Sequence, residues 1–239
     1  MKAATIAITI AATSTIATAG IVDMKFTGTG AGSAVQIQMG ESNAFNVFAG
    51  QLEHQIINAT GTDAFLNGTL STFCADITEH VATEFAQFQT TDLQNIPLTA
   101  SNPTPMNATQ SAAIGALYAQ NANTLLQGSV SNAFAAAFQL TIWEIVNDYT
   151  GNINSIDLTE GNLLIAGTNG DPINTDILTA IDTLKSSITT GINLGQTDSS
   201  FVLGLANEGY QDQLVTVPAP GALALLASGT LLITRRRRA

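Results

Sequence analysis

Cysteine is almost absent from this sequence. Cys74 is the single cysteine of the 239-residue chain, so no disulfide can close within it. A lone thiol has four ordinary explanations. It is a buried hydrophobic side chain, a reactive nucleophile, a site for an intermolecular bridge, or one half of a different covalent bond.

Basic residues are also scarce. The chain has 7 Lys and Arg against 18 Asp and Glu. Lys2 and the cluster Arg235, Arg236, Arg237 and Arg238 lie at the two ends, which leaves Lys25 and Lys185 between them. Without those ends, 2 basic and 18 acidic side chains give a formal charge of −16. Such a surface repels nucleic acid and anionic membranes, so we expect neither as a partner of the central region.

Both chain ends are rich in apolar residues. After Met1-Lys2, the residues up to Ile16 are Ala, Ile, Thr and Ser alone, and the step Ala17-Thr18-Ala19 follows. A positive start, a short apolar stretch and an A-x-A site are the three parts of a secretory signal peptide. Residues 1–19 are therefore predicted to be a signal peptide that directs export; an ordinary first strand or helix is the alternative.

The C-terminal end has three parts in order. The motif Val217, Pro218, Ala219 and Pro220 precedes an apolar run from Gly221 to Ile233, and the four arginines follow. The run is short for a membrane-spanning helix, but a cationic cluster after it would stay on the cytoplasmic side. Residues 217–239 resemble the PEP-CTERM sorting signal of Gram-negative envelope proteins, with alanine in place of the usual glutamate.

This resemblance implies processing and a location. A membrane protease of the exosortase type would recognise the tail and remove it. The protein is then expected in the cell envelope, on the cell surface or in the extracellular matrix, after transient anchoring in the inner membrane through the C-terminal segment alone. An uncleaved tail anchor is the alternative.

Residues 20–216 are long enough for one globular domain. Alternating or apolar segments bounded by turn residues predict strands at 33–39, 46–52, 53–59, 70–77, 162–168, 201–206 and 213–217. With the helices described next, they predict an α+β fold. The expected architecture is an antiparallel β-sandwich or partial barrel with a mostly helical inserted subdomain.

Helices are predicted at 109–126, at 175–188 and from an N-cap at Ser131 to about Tyr149. The middle helix has a buried stripe at three-to-four spacing, consisting of Phe134, Phe138, Ile142, Ile145 and Tyr149. Gln139, Trp143 and Val146 extend this apolar face, whereas Glu144, Asn147 and Asp148 are expected on the opposite, polar side. Gln139 is thus a polar side chain among core residues.

A buried glutamine must satisfy its carbonyl and its NH2 group. Hydrogen bonds to nearby backbone are one solution. Another consumes the amide: the Cys74 thiolate attacks the Gln139 carbonyl carbon, ammonia leaves, and a thioester joins the two side chains. Asp76, Glu79 and His80 are near Cys74 in sequence, but spacing alone assigns none of them as the base.

The two segments resemble the bacterial thioester domain, whose signature is an aromatic-Cys step followed by Gln-x-Ala-Ile/Val-Trp. Phe73-Cys74 matches the first step and Gln139-Leu140-Thr141-Ile142-Trp143 the second. Thr141 replaces the usual alanine, and Phe138 stands where threonine is frequent. The resemblance implies a thioester between Cys74 and Gln139, and Phe73 and Trp143 are predicted to shield it from water.

The implied function is covalent attachment to a surface nucleophile such as an amine. Each bond is used once, so we predict that the protein is not an enzyme. Two alternatives remain open: a non-covalent envelope or biofilm-matrix protein with an inert Cys74, and a cysteine hydrolase that uses Cys74 with His80 or His54. Both histidines are expected at the surface or in loops. No cofactor is predicted, and no metal, because the stretch 151–174 lacks the acidic spacing of a calcium loop.

Overall fold

The computed structural model of the chain describes residues 20–98 and 104–218. The predicted signal peptide lies outside the described residues, as does the sorting tail from Ala219 onward, including Pro220 and Arg235–Arg238. Val217 and Pro218 are described, and the Val217 N–H donates to the Phe201 carbonyl (2.9 Å). Within the described ranges, no helix has both the length and the apolar character that crossing a membrane requires.

One antiparallel sheet of seven strands forms the centre of the fold. Its strands are β1 (Ile21–Met39), β2 (Phe45–Ile57), β3 (Gly68–Cys74), β4 (Ala86–Thr91), β5 (Leu163–Gly167), β6 (Val202–Ala206) and β7 (Gln213–Thr216). The strand order is β2-β3-β7-β6-β4-β1-β5, and β1 also pairs with β2. Strands β1, β2, β3, β7, β6 and β4 therefore close into a ring, with β5 outside it on the far half of β1.

The described residues form three α-helices, α1 (Ala108–Leu126), α2 (Asn132–Asp148) and α3 (Thr175–Asn193). Helices α1 and α2 contact the sheet, and α3 packs on α1 and α2. The Asn107 side chain accepts from the backbone N–H groups of Thr109 and Gln110, and the Gln110 side chain accepts from Asn107 N, which completes a capping box. Ser131 caps α2 as predicted. The α+β class is confirmed.

The long strands extend beyond their sequence signals. The predicted strand 33–39 is only the second half of β1, and the segments 46–52 and 53–59 form the single strand β2, which ends at Ile57. Strand β4 was not predicted, although its Phe88 and Thr90 are buried at alternating positions. This short strand pairs with both β1 and β6, so the ring closes through it.

The helix α2 has no polar face, which corrects one expectation. Glu144 was expected opposite the apolar stripe, but its side chain is fully buried. The helix contacts β1, β2, α1 and α3, and every residue from Ala135 to Val146 is buried. A helix enclosed on all sides buries its polar positions as well, and the three-to-four spacing does not reveal this.

The expectation for His54 was also wrong. This side chain lies on β2 and is buried. Its Nδ1 lies 3.0 Å from the Thr72 hydroxyl, which in turn donates to Gln213 Oε1 (2.8 Å). His80 is exposed, in the loop after β3.

A glycine inside α1 has a packing role. A Cβ at Gly115 would lie 2.6 Å from the Asp198 carbonyl oxygen and 2.8 Å from that of Thr197. We expect Gly115→Ala to lower the free energy of unfolding by about 1–3 kcal/mol, because the clash with backbone outweighs the better helix propensity of alanine. Urea unfolding monitored by circular dichroism measures this. Gly28→Ala is the control, since no atom lies within 4 Å of its added Cβ; equal effects of the two substitutions would contradict the explanation.

Candidate functional site

Cys74 and Gln139 lie side by side where β3 loses one neighbour. The pairing of β3 with β2 ends at Thr72, opposite Leu52, while β7 still pairs with Cys74 through Gln213. The backbone N–H and C=O of Cys74 on the β2 side therefore need other partners. The Gln139 side chain supplies both: its Oε1 accepts from Cys74 N (2.8 Å), and its Nε2 donates to Cys74 O (2.7 Å).

The Gln139 carboxamide thus takes the place of a neighbouring strand. A carboxamide has the same donor and acceptor as a peptide group, so one side chain on α2 extends the hydrogen bonding of β3 by one residue. Both Cys74 and Gln139 are buried. The arrangement joins the Gln139 carboxamide to the backbone of the residue that carries the thiol.

The Cys74 thiol is strongly biased toward its protonated form. Its Sγ donates to the main-chain carbonyl of Asp76 (2.7 Å). Burial raises the pKa of the thiol well above its ordinary value, and the negative charges of Asp76 and Asp212 add to this shift. The nearby Trp143 indole N–H, which makes no hydrogen bond of its own, partly opposes it by favouring the thiolate. A nucleophilic role for Cys74 therefore requires a proton acceptor.

Two buried carboxylates lie close to this thiol. Asp76 accepts from Thr78 N and Thr78 Oγ1 through Oδ1, both at 2.7 Å, while its buried Oδ2 has no hydrogen-bond partner within residues 20–98 and 104–218. Asp212 accepts from Leu98 N and from Asn207 N through its two oxygens. Burial raises the pKa of Asp212 to about 7, and the charge of Asp76 contributes.

A pocket of about 370 Å³ gives access to the pair. Cys74, Gln139 and Trp143 contribute to its wall. The remaining lining side chains come from β1, β2, the loop after β3 and the residue before Asp212: Phe26, Thr29, Phe45, Asn46, Val47, Phe48, Leu52, Ile77, Glu79, His80, Val81 and Gln211. A larger polar cleft of about 460 Å³, lined by Asp92, Asn95 and Asp198 among others, contains no thiol.

The two predicted shielding residues occupy different places. Trp143 lines the pocket beside Cys74 and Gln139. Phe73 is buried on the core side, where its ring lies 4.7 Å from that of Phe138. Phe138 in turn contacts Tyr118 edge-on (5.1 Å). Phe73 therefore packs the cysteine segment against α2, and Trp143 shares the pocket wall with Cys74 and Gln139.

The geometry gives the hydrolase hypothesis no support. A catalytic cysteine needs a base within hydrogen-bonding distance. In the part of the chain that is described, the Cys74 sulfur hydrogen-bonds only the Asp76 carbonyl. His54 lies outside the pocket lining, and burial lowers the pKa of its imidazole to about 4. His80 lines the pocket, but among the described residues it does not hydrogen-bond the sulfur. The described residues also contain no cluster of three or more potential metal ligands.

Sequence reasoning missed one acidic member of the site. Asp212 is far from Cys74 in the chain and reaches it because β7 pairs with β3, so that the Asp212 carbonyl accepts from Ala75 N. The predicted strand 213–217 was the only signal that could have placed it there. Asp76 was considered, but its unpartnered oxygen follows from the fold alone.

The comparison with solved structures found a bacterial thioester domain. The structure aligns with the N-terminal thioester domain of fibronectin-binding protein SfbI from Streptococcus pyogenes, with a TM-score of 0.43 and 15% sequence identity. The alignment covers 82% of this chain and 94% of that domain. No family model matches the sequence, and no curated protein matches it. The case for function therefore rests on the site itself.

Proposed function

We propose that this chain is an exported protein that attaches covalently to a target surface through an internal thioester between Cys74 and Gln139. The observation that carries the proposal is the docking of the Gln139 amide on the Cys74 backbone by two hydrogen bonds, beside a pocket. Two residues 65 positions apart thereby present a nucleophile and an acyl group to each other.

Bond formation is a balanced exchange. The Cys74 S–H bond breaks, sulfur bonds to the Gln139 amide carbon, and the carbon–nitrogen bond breaks with release of ammonia. Negative charge develops on Gln139 Oε1 during the attack. Because the Cys74 backbone N–H already donates to that oxygen, it stabilises this charge without rearrangement.

In attachment to the target, the Gln139 acyl carbon is attacked a second time, and the Cys74 sulfur is now the leaving group. An amine on the target attacks the Gln139 acyl carbon, an amide bond forms, and Cys74 returns to a thiol. Each molecule reacts once, so the proposal describes a single-use linkage and not a turnover enzyme. The two lysines of the central region leave few amines for reaction with another copy of the same chain.

The chain ends supply the cellular context of the proposal. The predicted signal peptide directs export, and the PEP-CTERM-like tail is the expected substrate of an exosortase-type protease. The site of action is then the Gram-negative cell surface or extracellular matrix. The target nucleophile is an amine or a comparable group exposed on that surface.

Intact-mass measurement tests the linkage directly. The purified protein is expected to weigh less than its sequence by one ammonia, and methylamine is expected to add one molecule across the bond. Cys74→Ala and Gln139→Ala should each restore the full sequence mass and abolish the adduct, with an unchanged far-ultraviolet circular dichroism spectrum. A wild-type protein of full mass with a titratable thiol would contradict the proposal.

One observation favours a second candidate, a non-covalent envelope or matrix protein with an inert thiol. Both polar groups of the Gln139 amide are satisfied by Cys74, so the glutamine is also explained as a structural link between α2 and β3. Under this alternative, methylamine adds nothing and the wild-type protein has its full sequence mass. The mass measurement separates the two candidates.

A further inference from the structure

A buried, protonated thiol cannot attack an amide until it loses its proton. Although the pocket reaches Cys74, the side chain is buried and its S–H group donates inward, to the Asp76 main-chain carbonyl. This orientation favours a group of the protein close to the sulfur as the acceptor. The titratable side chains near it are Asp76, Glu79, His80 and Asp212.

The hydrogen bonds distinguish these candidates. Both oxygens of Asp212 accept backbone N–H groups, from Leu98 and Asn207, so this carboxylate is committed to joining three chain segments. Glu79 and His80 line the pocket and are partly or fully exposed. Asp76 is fully buried, and one of its oxygens, Oδ2, has no partner.

An unsatisfied oxygen on a buried carboxylate is costly and calls for an explanation. Asp76 is held firmly, since Thr78 donates twice to its other oxygen. The same residue already accepts the thiol hydrogen bond through its main-chain carbonyl. The carboxylate therefore belongs to the residue that the S–H group contacts, and it has one free acceptor site.

We propose that Asp76 is the proton acceptor for thioester formation at Cys74. This inference rests on the proposed function. The S–H proton moves to Asp76 Oδ2 as sulfur bonds to the Gln139 carbon, and the charge on Oε1 is held by the Cys74 N–H. The protonated carboxyl then gives the proton to Gln139 nitrogen, the carbon–nitrogen bond breaks, ammonia leaves, and Asp76 is again a carboxylate.

The released ammonia provides the assay. Excess ammonia cleaves the bond back to the Gln139 amide and the Cys74 thiol, and its removal starts re-formation, which intact mass follows over time. We expect Asp76→Asn to slow re-formation by about a hundredfold or more, the usual contribution of a positioned base. Glu84→Gln removes one charge from an exposed position of the same loop and should re-form the bond at the wild-type rate.

The outcomes separate this inference from the function on which it rests. A wild-type chain that never loses ammonia contradicts the thioester itself. A wild-type chain and an Asp76→Asn variant that form the bond equally fast overturn only the role of Asp76.

If Asp76→Asn fails to fold, the pH dependence of the re-formation rate in the wild-type protein tests the role of Asp76 instead. With Asp76 as acceptor, the rate of re-formation is expected to be independent of pH in the alkaline range, because the carboxylate and not hydroxide removes the proton. A rate that keeps rising about tenfold per pH unit into the alkaline range indicates removal of the proton by hydroxide, and would overturn the inference.

Discussion

Replacing Phe138 with alanine is expected to lower the free energy of unfolding by about 3–5 kcal/mol, the usual cost of emptying a buried aromatic site. The side chain is fully buried, and its ring contacts those of Phe73 (4.7 Å) and Tyr118 (5.1 Å). Phe73 precedes Cys74, and Phe138 precedes Gln139. The same substitution therefore loosens the contact that holds the two proposed bond-forming segments together.

Chemical denaturation of the wild type and the variant measures this loss. Phe85→Ala is the matched control: the same atoms are removed, but the Phe85 ring is 41% exposed and packs mainly under Lys25. Its effect should stay below about 1 kcal/mol. A Phe138→Ala variant as stable as the control would show that the aromatic cluster does not hold α2 against β3.

Acidification from pH 8 to pH 6 is expected to stabilise the fold by about 3 kcal/mol. Burial raises the pKa of Glu144 to about 8 and that of Asp212 to about 7. The folded state therefore binds more protons than the unfolded state across this range. Stability conferred by such groups is present at low pH and is lost as the pH rises through the folded-state pKa values.

His54 acts in the opposite direction. Burial lowers the pKa of its imidazole to about 4, so the unfolded state takes up a proton near pH 6.5 before the folded state does. At pH 6 this reduces the gain from the two carboxyl groups by roughly 1 kcal/mol, which the net value above includes. Stability is therefore expected to be highest in the mildly acidic range.

Urea midpoints at pH 8, 7 and 6 check this dependence. Glu144→Gln removes the larger of the two contributions while keeping an oxygen for the Asp157 N–H, which Glu144 Oε2 accepts at 3.0 Å. The difference between pH 8 and pH 6 should then fall by more than half. A wild-type protein that is more stable at pH 8 than at pH 6 would contradict the raised pKa values of Glu144 and Asp212 in the folded state.

Local signals in the sequence predicted the helices well. Ser131 is an N-cap residue followed by a long apolar periodicity, and α2 begins and ends within a residue of its predicted limits. The same periodicity placed Gln139 in the core. Position in the core could be predicted because it depends on neighbours along the helix.

Features that depend on distant segments could not be predicted. Glu144 is buried because α1, α3 and four strands enclose α2, and nothing in its own segment distinguishes it from a surface glutamate. Strand β4 is six residues long and is stabilised by β1 and β6, each far away in the chain. Asp212 approaches Cys74 only through the pairing of β7 with β3.

The substitution of a side-chain amide for a missing strand neighbour has a mechanical consequence. After the proposed reaction, the target would be bonded covalently to Gln139 on α2. The thioester that had joined Gln139 to Cys74 on β3 would be broken. The cross-link spans 65 residues, so by the relation used for disulfides its loss removes about 4 kcal/mol of stability. Load on the target would then reach the sheet through the packed sides of α2 and through the main chain at its two ends, and the tightness of that packing would set the force at which the domain begins to unfold.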